Sequence, residues 1–212
     1  MKIQLIKNDS FNFWAILVDM IASIMVVFLL INFVDNVLNT RNLEALIIEK
    51  NRLVFYEKYL KAEFSDEIKS GQLNTISDET YLRIILDENI LSFETQDYEL
   101  KPAGEKIIER FAVVFTDALK ESTIDEIQVE GHADRHKFNV STFPKNNWEL
   151  SSARATKIVN KLIESNKTIE PLLSANGYSS HRPRSENIDH LNRRIEIKIY
   201  FHAENQINSL IR

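Results

Sequence analysis

The most apolar stretch of the chain contains a single acid, Asp19. The span from Trp14 to Phe33 reads WAILVDMIASIMVVFLLINF and holds no other ionisable residue. A carboxylate deep in a bilayer costs about 2.5–3.5 kcal/mol on insertion scales, and such residues usually face a protein interior or a water-filled path. The residue type therefore suits a carboxylate that binds and releases an ion. The alternative interpretation is an acid tolerated near the membrane interface.

Small residues surround this acid on one face of the predicted helix. Ala15, Ala22 and Ser23 lie three or four positions from Asp19, and Ile16 is the fourth such neighbour. Small side chains let a second helix approach closely within a membrane. Because one helix cannot hide an acid by itself, ion carriage would require partner helices from other chains.

A second set of chemically capable residues alternates at His132, Asp134 and His136. In an extended segment these three side chains would lie on one side, as metal ligands could. His136 falls where the predicted strand ends, so we expect no metal here. The sequence has no GxSxG motif and no phosphate-binding glycine loop, and we expect no enzymatic activity.

Composition narrows the class of protein further. The formal net charge of the 212 residues is −5, which does not indicate a nucleic-acid-binding protein. The chain contains no cysteine, which excludes disulfides, thiolate metal sites and a lipid-modified N-terminal cysteine.

The element that must position Asp19 is one membrane-spanning helix, which we predict at residues 14–34. About twenty residues of helix measure roughly 30 Å, the hydrocarbon thickness of a bilayer. A signal peptide would have a shorter apolar stretch and a small-residue cleavage site. Orientation does not follow from charge, because basic residues lie on both sides of the span. They are Lys2, Lys7, Arg41, Lys50 and Arg52.

Residues 35–79 are predicted to form a helical connector. Leu46, Leu53 and Leu60 recur every seven residues, with Leu43, Ile47 and Val54 alongside, and form an apolar seam among Glu and Lys residues. Gly71 ends this run. The seam either pairs two copies as a short coiled coil or packs on the downstream domain.

From residue 80 the pattern alternates between strands and helices. We predict strands at 81–86, 124–129, 172–178 and 194–201, and helices at 102–119 and 150–163. This order predicts an α/β sandwich of one sheet and its covering helices.

Four ordered blocks of this region resemble the OmpA-like peptidoglycan-binding family. They are GHAD at 131–134, NWELSSARA at 147–155, GYSSHRP at 177–183 and NRRIEI at 192–197. The resemblance implies an OmpA-like C-terminal domain over residues 80–203, followed by a tail at 204–212. The NWELS form is most similar to the MotB branch of flagellar stator subunits. Two departures from the family pattern are Ala133 in place of the usual Thr and a longer loop at 135–146.

The resemblance also implies a ligand. In this family an Asp and an Arg of these blocks grip the diaminopimelate of a cell-wall peptide, and the matching residues are Asp134 and Arg154. A carboxylate can hold the ammonium group of that zwitterion, and a guanidinium can hold its carboxylate. Asn192 and Arg193 are expected at the same rim, either touching the ligand or serving as structural hydrogen-bonding groups.

The whole layout resembles the MotB-type stator subunits. Its short connector is similar to that of a compact relative, such as the ZorB subunit of the Zorya anti-phage defence system. The resemblance implies a peptidoglycan-anchored stator of an ion-driven motor, in which Asp19 carries H⁺ or Na⁺ and no other cofactor is needed. It further implies a homodimer inside a multi-span subunit of the MotA or ZorA type, with five such subunits per two copies of this chain.

The same resemblance implies a single-pass protein of the bacterial inner membrane. Residues 1–13 would be cytoplasmic, the C-terminal domain would be periplasmic, and no nucleic acid would be bound. Two alternatives stay open. The first is a flagellar MotB-type stator subunit, and the second is a passive envelope tether that binds peptidoglycan without ion transport.

Overall fold

The computed structural model describes residues 13–78, 80–93, 97–120, 124–136 and 142–201. The chain forms two units, residues 1–46 and residues 47–212, and each is described by itself. The tail predicted at 204–212 and nearly all of the predicted cytoplasmic segment at 1–13 lie outside the described residues.

The first unit consists of the N-terminal part of helix α1, which spans Phe13–Glu63. Over Trp14–Glu44 this helix is long and apolar enough to cross a membrane, and none of the residues in its most apolar window is buried in the structure. A helix that exposes large apolar side chains on all sides requires lipid or other helices around it. The predicted span at 14–34 lies inside this segment, which fits a single-pass membrane protein.

The second unit is built on a five-stranded mixed sheet with the order β1-β2-β5-β3-β4. The pairs β1–β2, β2–β5 and β5–β3 are antiparallel, and only β3–β4 is parallel. The strands are β1 Leu73–Ser77, β2 Tyr81–Asp87, β3 Ile124–His132, β4 Leu173–Gly177 and β5 Arg194–Phe201.

Two long helices pack on one face of this sheet, which confirms the predicted α/β sandwich of one sheet and its covering helices. Helix α4 buries Ile108, Phe111, Ala112 and Phe115, the three- and four-residue spacing of a helix face turned to a core. On the strands every second side chain faces the core, so that Ile127, Val129 and their counterparts on β2 and β5 complete it. The helices after α1 are α2 Ser65–Lys69, α3 Glu88–Leu91, α4 Pro102–Lys120 and α5 Asn147–Ser165, and two short 3₁₀ helices span Lys167–Leu172 and Asp189–Asn192.

The end of the predicted connector differs from the expectation. The helical run ends before Gly71, which has a positive φ of 75°, as predicted, but the part of the connector beyond it forms strand β1 rather than helix. Leu73 lies opposite Leu86 of β2, and the side chains of Leu73 and Thr75 are buried. Five residues show too little alternation to predict a strand alone, and pairing with β2 decided the outcome.

The end of α1 also belongs to the core of the second unit. Leu53, Tyr56 and Leu60 are at most 5% exposed, and Tyr56 stacks on Phe201 with ring centroids 5.1 Å apart. This part of the seam therefore packs on the downstream domain, one of the two alternatives. Four apolar side chains nearby stay exposed, namely Leu43, Ile47, Val54 and Phe55.

Candidate functional site

Hydrogen bonds at the start of helix α5 fix both the beginning of the helix and its position against the sheet. Asn146 caps the helix by accepting a hydrogen bond from the Glu149 N–H at 3.0 Å, and the Glu149 carboxylate accepts one from the Lys145 N–H at 2.7 Å. The buried Ser151 hydroxyl accepts a hydrogen bond from the Ser179 N–H at 3.0 Å. These contacts fix the start of the helix that carries Arg154.

The close approach of α5 to β3 depends on Gly131. A Cβ atom at this position would lie 2.0 Å from the backbone oxygen of Ser151, so any larger residue would push the helix away. The glycine of the GHAD block thus sets the distance between the strand that leads to Asp134 and the helix that carries Arg154.

We expect Gly131→Ala to weaken folding and ligand binding together. Overpacking typically costs about 1–3 kcal/mol, and here the added methyl group meets backbone rather than a movable side chain. Unfolding of the detergent-solubilised full chain measures the first effect, and sedimentation with purified sacculi measures the second. Gly71→Ala is the control, because its Cβ would meet nothing within 4 Å and only its left-handed backbone would be strained, by about 1–2 kcal/mol. Binding retained in Gly131→Ala would contradict this role.

Four charged side chains form a continuous chain of ion pairs, which we call the acid–arginine cluster. It consists of Asp134, Arg193, Glu88 and Arg154, in that order. Asp134 Oδ2 accepts a hydrogen bond from Arg193 Nη1 at 2.7 Å, and Arg154 Nη1 lies 2.8 Å from Glu88 Oε1. Arg193 Nε donates to the other oxygen of Glu88 and so joins the two pairs.

Arg154 is the most enclosed member of the cluster, with a side chain 4% exposed. Its Nε donates to the Asp97 carbonyl oxygen at 2.8 Å, and its guanidinium lies 4.7 Å from the centre of the Phe93 ring. Burial lowers the pKa of Arg154, and the Glu88 carboxylate opposes that change. A guanidinium titrates far above neutral pH, so the group stays charged.

Asp134 is held ionised by its neighbours. Burial would raise the pKa of this carboxyl, but hydrogen bonds from Arg193 and from the His136 backbone N–H outweigh burial and lower the pKa below its ordinary value of 3.8. The hydrogen bond to Asp134, partly offset by burial, raises the pKa of Arg193. The cluster holds two acidic and two basic side chains at one end of the sheet, and Arg193 is its most exposed member.

A pH dependence follows from the lowered pKa of Asp134. Since the folded state holds the carboxylate ionised more strongly than the unfolded state does, its stabilisation is present above pH 3.8 and is lost as the pH falls through the lowered pKa. The difference in thermal stability between the wild type and Asp134→Asn should therefore shrink as the pH falls from about 5 to 3. A difference that is undiminished at pH 3 would contradict this assignment.

The structure therefore brings together three of the four predicted ligand-binding residues, Asp134, Arg154 and Arg193. Asn192 is placed differently, because its side chain is 1% exposed and both of its polar atoms are engaged. Its Oδ1 accepts from the N–H groups of Arg184 and Ser185 at 2.8 and 2.9 Å, and its Nδ2 donates to the Ser185 carbonyl at 2.8 Å. Asn192 therefore has the second of the two roles considered for it: its hydrogen bonds brace the loop before β5.

Glu88 and the Asp97 carbonyl were not predicted as parts of the site. Glu88 lies just after strand β2, outside the four sequence blocks, and is separated from Arg193 by 105 positions. A buried guanidinium needs a carboxylate partner, but the sequence does not say which of many acids supplies it. The position of Glu88 directly after a predicted strand is the only local signal that could have singled it out.

The alternating set His132, Asp134 and His136 does not converge on one point. His136 is exposed, and its Nδ1 lies 3.1 Å from Asp134 Oδ2. His132 is buried and approaches Glu130 and Glu196 instead. Among the residues that the structure describes, Glu130, His132 and Glu196 form the only group with ligand atoms close enough to one another to hold a metal ion.

Asp19 lies on an exposed part of α1 within the apolar segment. The Ser23 hydroxyl donates to the Asp19 backbone carbonyl at 2.9 Å, so it bonds its own helix rather than the carboxylate. Ala15 and Ala22 are also exposed and lie at helical spacing from Asp19. The small-residue face around the acid is thus open to another helix.

An apolar groove of about 570 Å³ runs along the outer side of α5. Tyr98, Phe143 and Trp148 line it together with the stem of Lys157. Trp148 is 51% exposed and stacks on His181 with ring centroids 5.1 Å apart. Because Tyr98 directly follows Asp97, the groove begins next to the contact that holds Arg154.

Comparisons with known proteins agree with this architecture. Residues 92–195 match the model of the OmpA family. The chain is 30% identical over 146 residues to the uncharacterized protein YtxE of Bacillus subtilis (strain 168), a match that covers 67% of this chain and 57% of that protein.

Two solved structures share the fold. A MotB-like protein from Desulfovibrio vulgaris has a TM-score of 0.60 at 19% identity, with 73% of this chain and 99% of that chain covered. The periplasmic domain of MotB has a TM-score of 0.55 at 25% identity, with 66% of this chain and 74% of that chain covered. The region behind the apolar helix is therefore an OmpA-like α/β domain whose fold matches the periplasmic domains of MotB proteins.

Proposed function

We propose that this chain is a peptidoglycan-anchored stator subunit of an ion-driven motor in the bacterial inner membrane. One observation carries the proposal. An apolar helix with a single acid, Asp19, precedes an OmpA-like domain in which Asp134 and Arg154 belong to one acid–arginine cluster. The first feature suits ion carriage and the second suits anchoring.

The charge of the cluster suits the free end of diaminopimelate, which carries an ammonium and a carboxylate. Asp134 is ionised and would attract the ammonium group. Arg154 and Arg193 would attract the ligand carboxylate. That carboxylate would share the two guanidinium groups with Glu88, which pairs with both of them. A net-neutral site with separated signs recognises a zwitterion without leaving either ligand charge unpaired.

The groove beside α5 extends this site. Exposed aromatic rings such as Trp148 and Phe143 supply apolar contact area with little rotamer entropy to lose. We propose that the rest of the cell-wall fragment lies along this groove once its charged end is held by the cluster.

The membrane part would work as follows. Two copies place their helices inside a ring of a multi-span partner of the MotA or ZorA type, with five partner subunits around them. Asp19 then has partner helices on its small-residue face and takes up and releases H⁺ or Na⁺ moving down its gradient. Each change of charge alters the packing of the ring against the helices, while the periplasmic domain holds the helices still.

The short connector favours a compact stator, and we propose a role like that of ZorB in anti-phage defence. Among the residues whose burial the structure describes, the first core residue is Leu53, so about twenty residues separate the predicted membrane span from it. A flagellar MotB-type role is the alternative within the same class.

The experiment that tests the stator proposal is the composition of the complex purified from the membrane. We expect a multi-span partner in several copies per two copies of this chain, measured by native mass spectrometry. Purification of the chain alone, or with a partner in equal number, would favour a passive envelope tether. The tether needs only the apolar helix and the cell-wall domain, and leaves Asp19 without a role.

A further inference from the structure

A second buried polar cluster lies on the sheet face opposite the long helices. It consists of Glu130 and His132 of β3 and Glu196 of β5, whose exposed fractions are 2%, 2% and 5%. Glu130 and Glu196 are direct partners across the two antiparallel strands. His132 Nε2 lies 3.6 Å from Glu130 Oε2 and 3.9 Å from Glu196 Oε1.

His132 is the unusual member of this cluster. Among the residues that the structure describes, neither of its buried ring nitrogens has a partner within hydrogen-bonding distance, and the nearest carboxylate oxygen is Glu130 Oε2 at 3.6 Å. The ring stacks on Tyr178 with centroids 5.5 Å apart, which holds its plane beside the two carboxylates. Buried polar atoms in folded proteins are nearly always paired with protein groups, water or an ion, so this buried imidazole is a candidate ligand for a bound ion.

We propose that Glu130, His132 and Glu196 bind a divalent transition-metal ion of the zinc type. One imidazole nitrogen and two carboxylate oxygens are a ligand set that zinc accepts, and the three ligand atoms lie within 4.8 Å of one another. Ligand atoms around a tetrahedral zinc ion are separated by about 3.3 Å, given bonds of about 2.0–2.1 Å. The two contacts of His132, at 3.6 and 3.9 Å, would need to close by about 0.3 and 0.6 Å.

Three cations face the same carboxylates and set the strength of the site. Lys198 Nζ lies 2.7 Å from Glu130 Oε1, Arg194 Nε lies 2.6 Å from Glu196 Oε1, and Arg83 Nη1 lies 3.8 Å from Glu196 Oε2. They orient the carboxylates, as hydrogen-bonded neighbours of metal ligands do. Their charge also opposes the ion, so we expect removal of Lys198 to strengthen metal binding.

The site is separate from the cluster proposed to bind the cell wall, and it does not depend on the stator function. It would join β3 to β5 on the face where Arg194 also donates to the Arg182 carbonyl at 3.1 Å. A bound ion there would stabilise the loop between β4 and β5 together with the strands.

The test is titration of ZnCl₂ into the full chain, purified in detergent without a polyhistidine tag and freed of metal by chelation. We expect one zinc ion per chain by calorimetry and elemental analysis, and a higher unfolding temperature with zinc. His132→Gln should weaken binding at least tenfold, whereas Lys198→Gln should tighten it. His136→Gln is the matched control and should bind as the wild type does, because His136 lies outside this cluster.

Absence of stoichiometric zinc binding would overturn the proposal, as would equal loss of binding in His136→Gln and His132→Gln. Should His132→Gln fail to fold, Lys198→Gln decides: tighter binding supports the site, and unchanged or weaker binding overturns it.

Discussion

Replacement of Asp19 by Asn is expected to abolish ion flow through the complex while leaving the complex assembled. Asn has nearly the same size as Asp but cannot take up or release a proton and carries no charge for a sodium ion. It is also less costly than an ionised Asp to place within a bilayer, so insertion of the helix should not suffer. Ion flux into proteoliposomes containing the purified complex measures the effect, and native mass measures assembly.

Two further substitutions serve as controls for the Asp19→Asn experiment. Asp35→Asn removes the next acid along α1, beyond the predicted span, and should leave ion flux unchanged. Asp19→Glu keeps a titratable carboxylate and should retain part of the flux. Ion flux at the wild-type level in Asp19→Asn would exclude the stator mechanism and leave the passive tether as the better interpretation.

Removal of both ends of the acid–arginine cluster is expected to abolish binding to the cell wall. In Asp134→Ala combined with Arg154→Ala, the groups proposed for the ligand ammonium and carboxylate are both absent. The chain should then remain in the supernatant when purified sacculi are sedimented. Loss of Arg154 also leaves Glu88 without one of its partners, and breaking a buried pair typically costs about 3–5 kcal/mol, so folding must be measured alongside.

The control for that destabilisation is Arg110→Ala. Arg110 of α4 pairs with Glu63 and Glu67 and lies over the Phe64 ring at 4.4 Å, so its loss also leaves acids unpaired. It should sediment with sacculi like the wild type, while Asp134→Asn, which changes only one group of the cluster, should bind weakly. A folded double variant that still sediments with sacculi would exclude the cluster as the binding site.

Periodicity predicted the helices and strands whose patterns are long. Helix α4, predicted at 102–119, is found at Pro102–Lys120, and β5 has the predicted bounds of Arg194–Phe201. Strand β1 was missed because its five residues follow a helical run and alternate weakly, with only Leu73 and Thr75 buried. Its formation depends on an open edge of β2, which no local pattern reveals.

The candidate site was predictable only in part, for a related reason. Asp134, Arg154 and Arg193 lie in blocks that resemble a known family, and the structure brings them into one cluster. Asn192 belongs to the same block, yet its amide braces the loop at Arg184 and Ser185. Neighbouring residues of a strand entrance point in different directions, so membership of a block does not decide which side chain reaches a ligand.

The amino-acid sequence by itself determined that an apolar span carries one acid and that an α/β domain follows it. Both conclusions rest on local order, because a run of about twenty apolar residues and an alternation of side chains can be read along the chain. Only the tertiary structure decided that Glu88 joins Arg154 to Arg193 and that His132 meets two carboxylates rather than Asp134 and His136. Those contacts join residues distant in sequence through the order of the strands, and a buried charge is satisfied by whichever partner the fold brings to it.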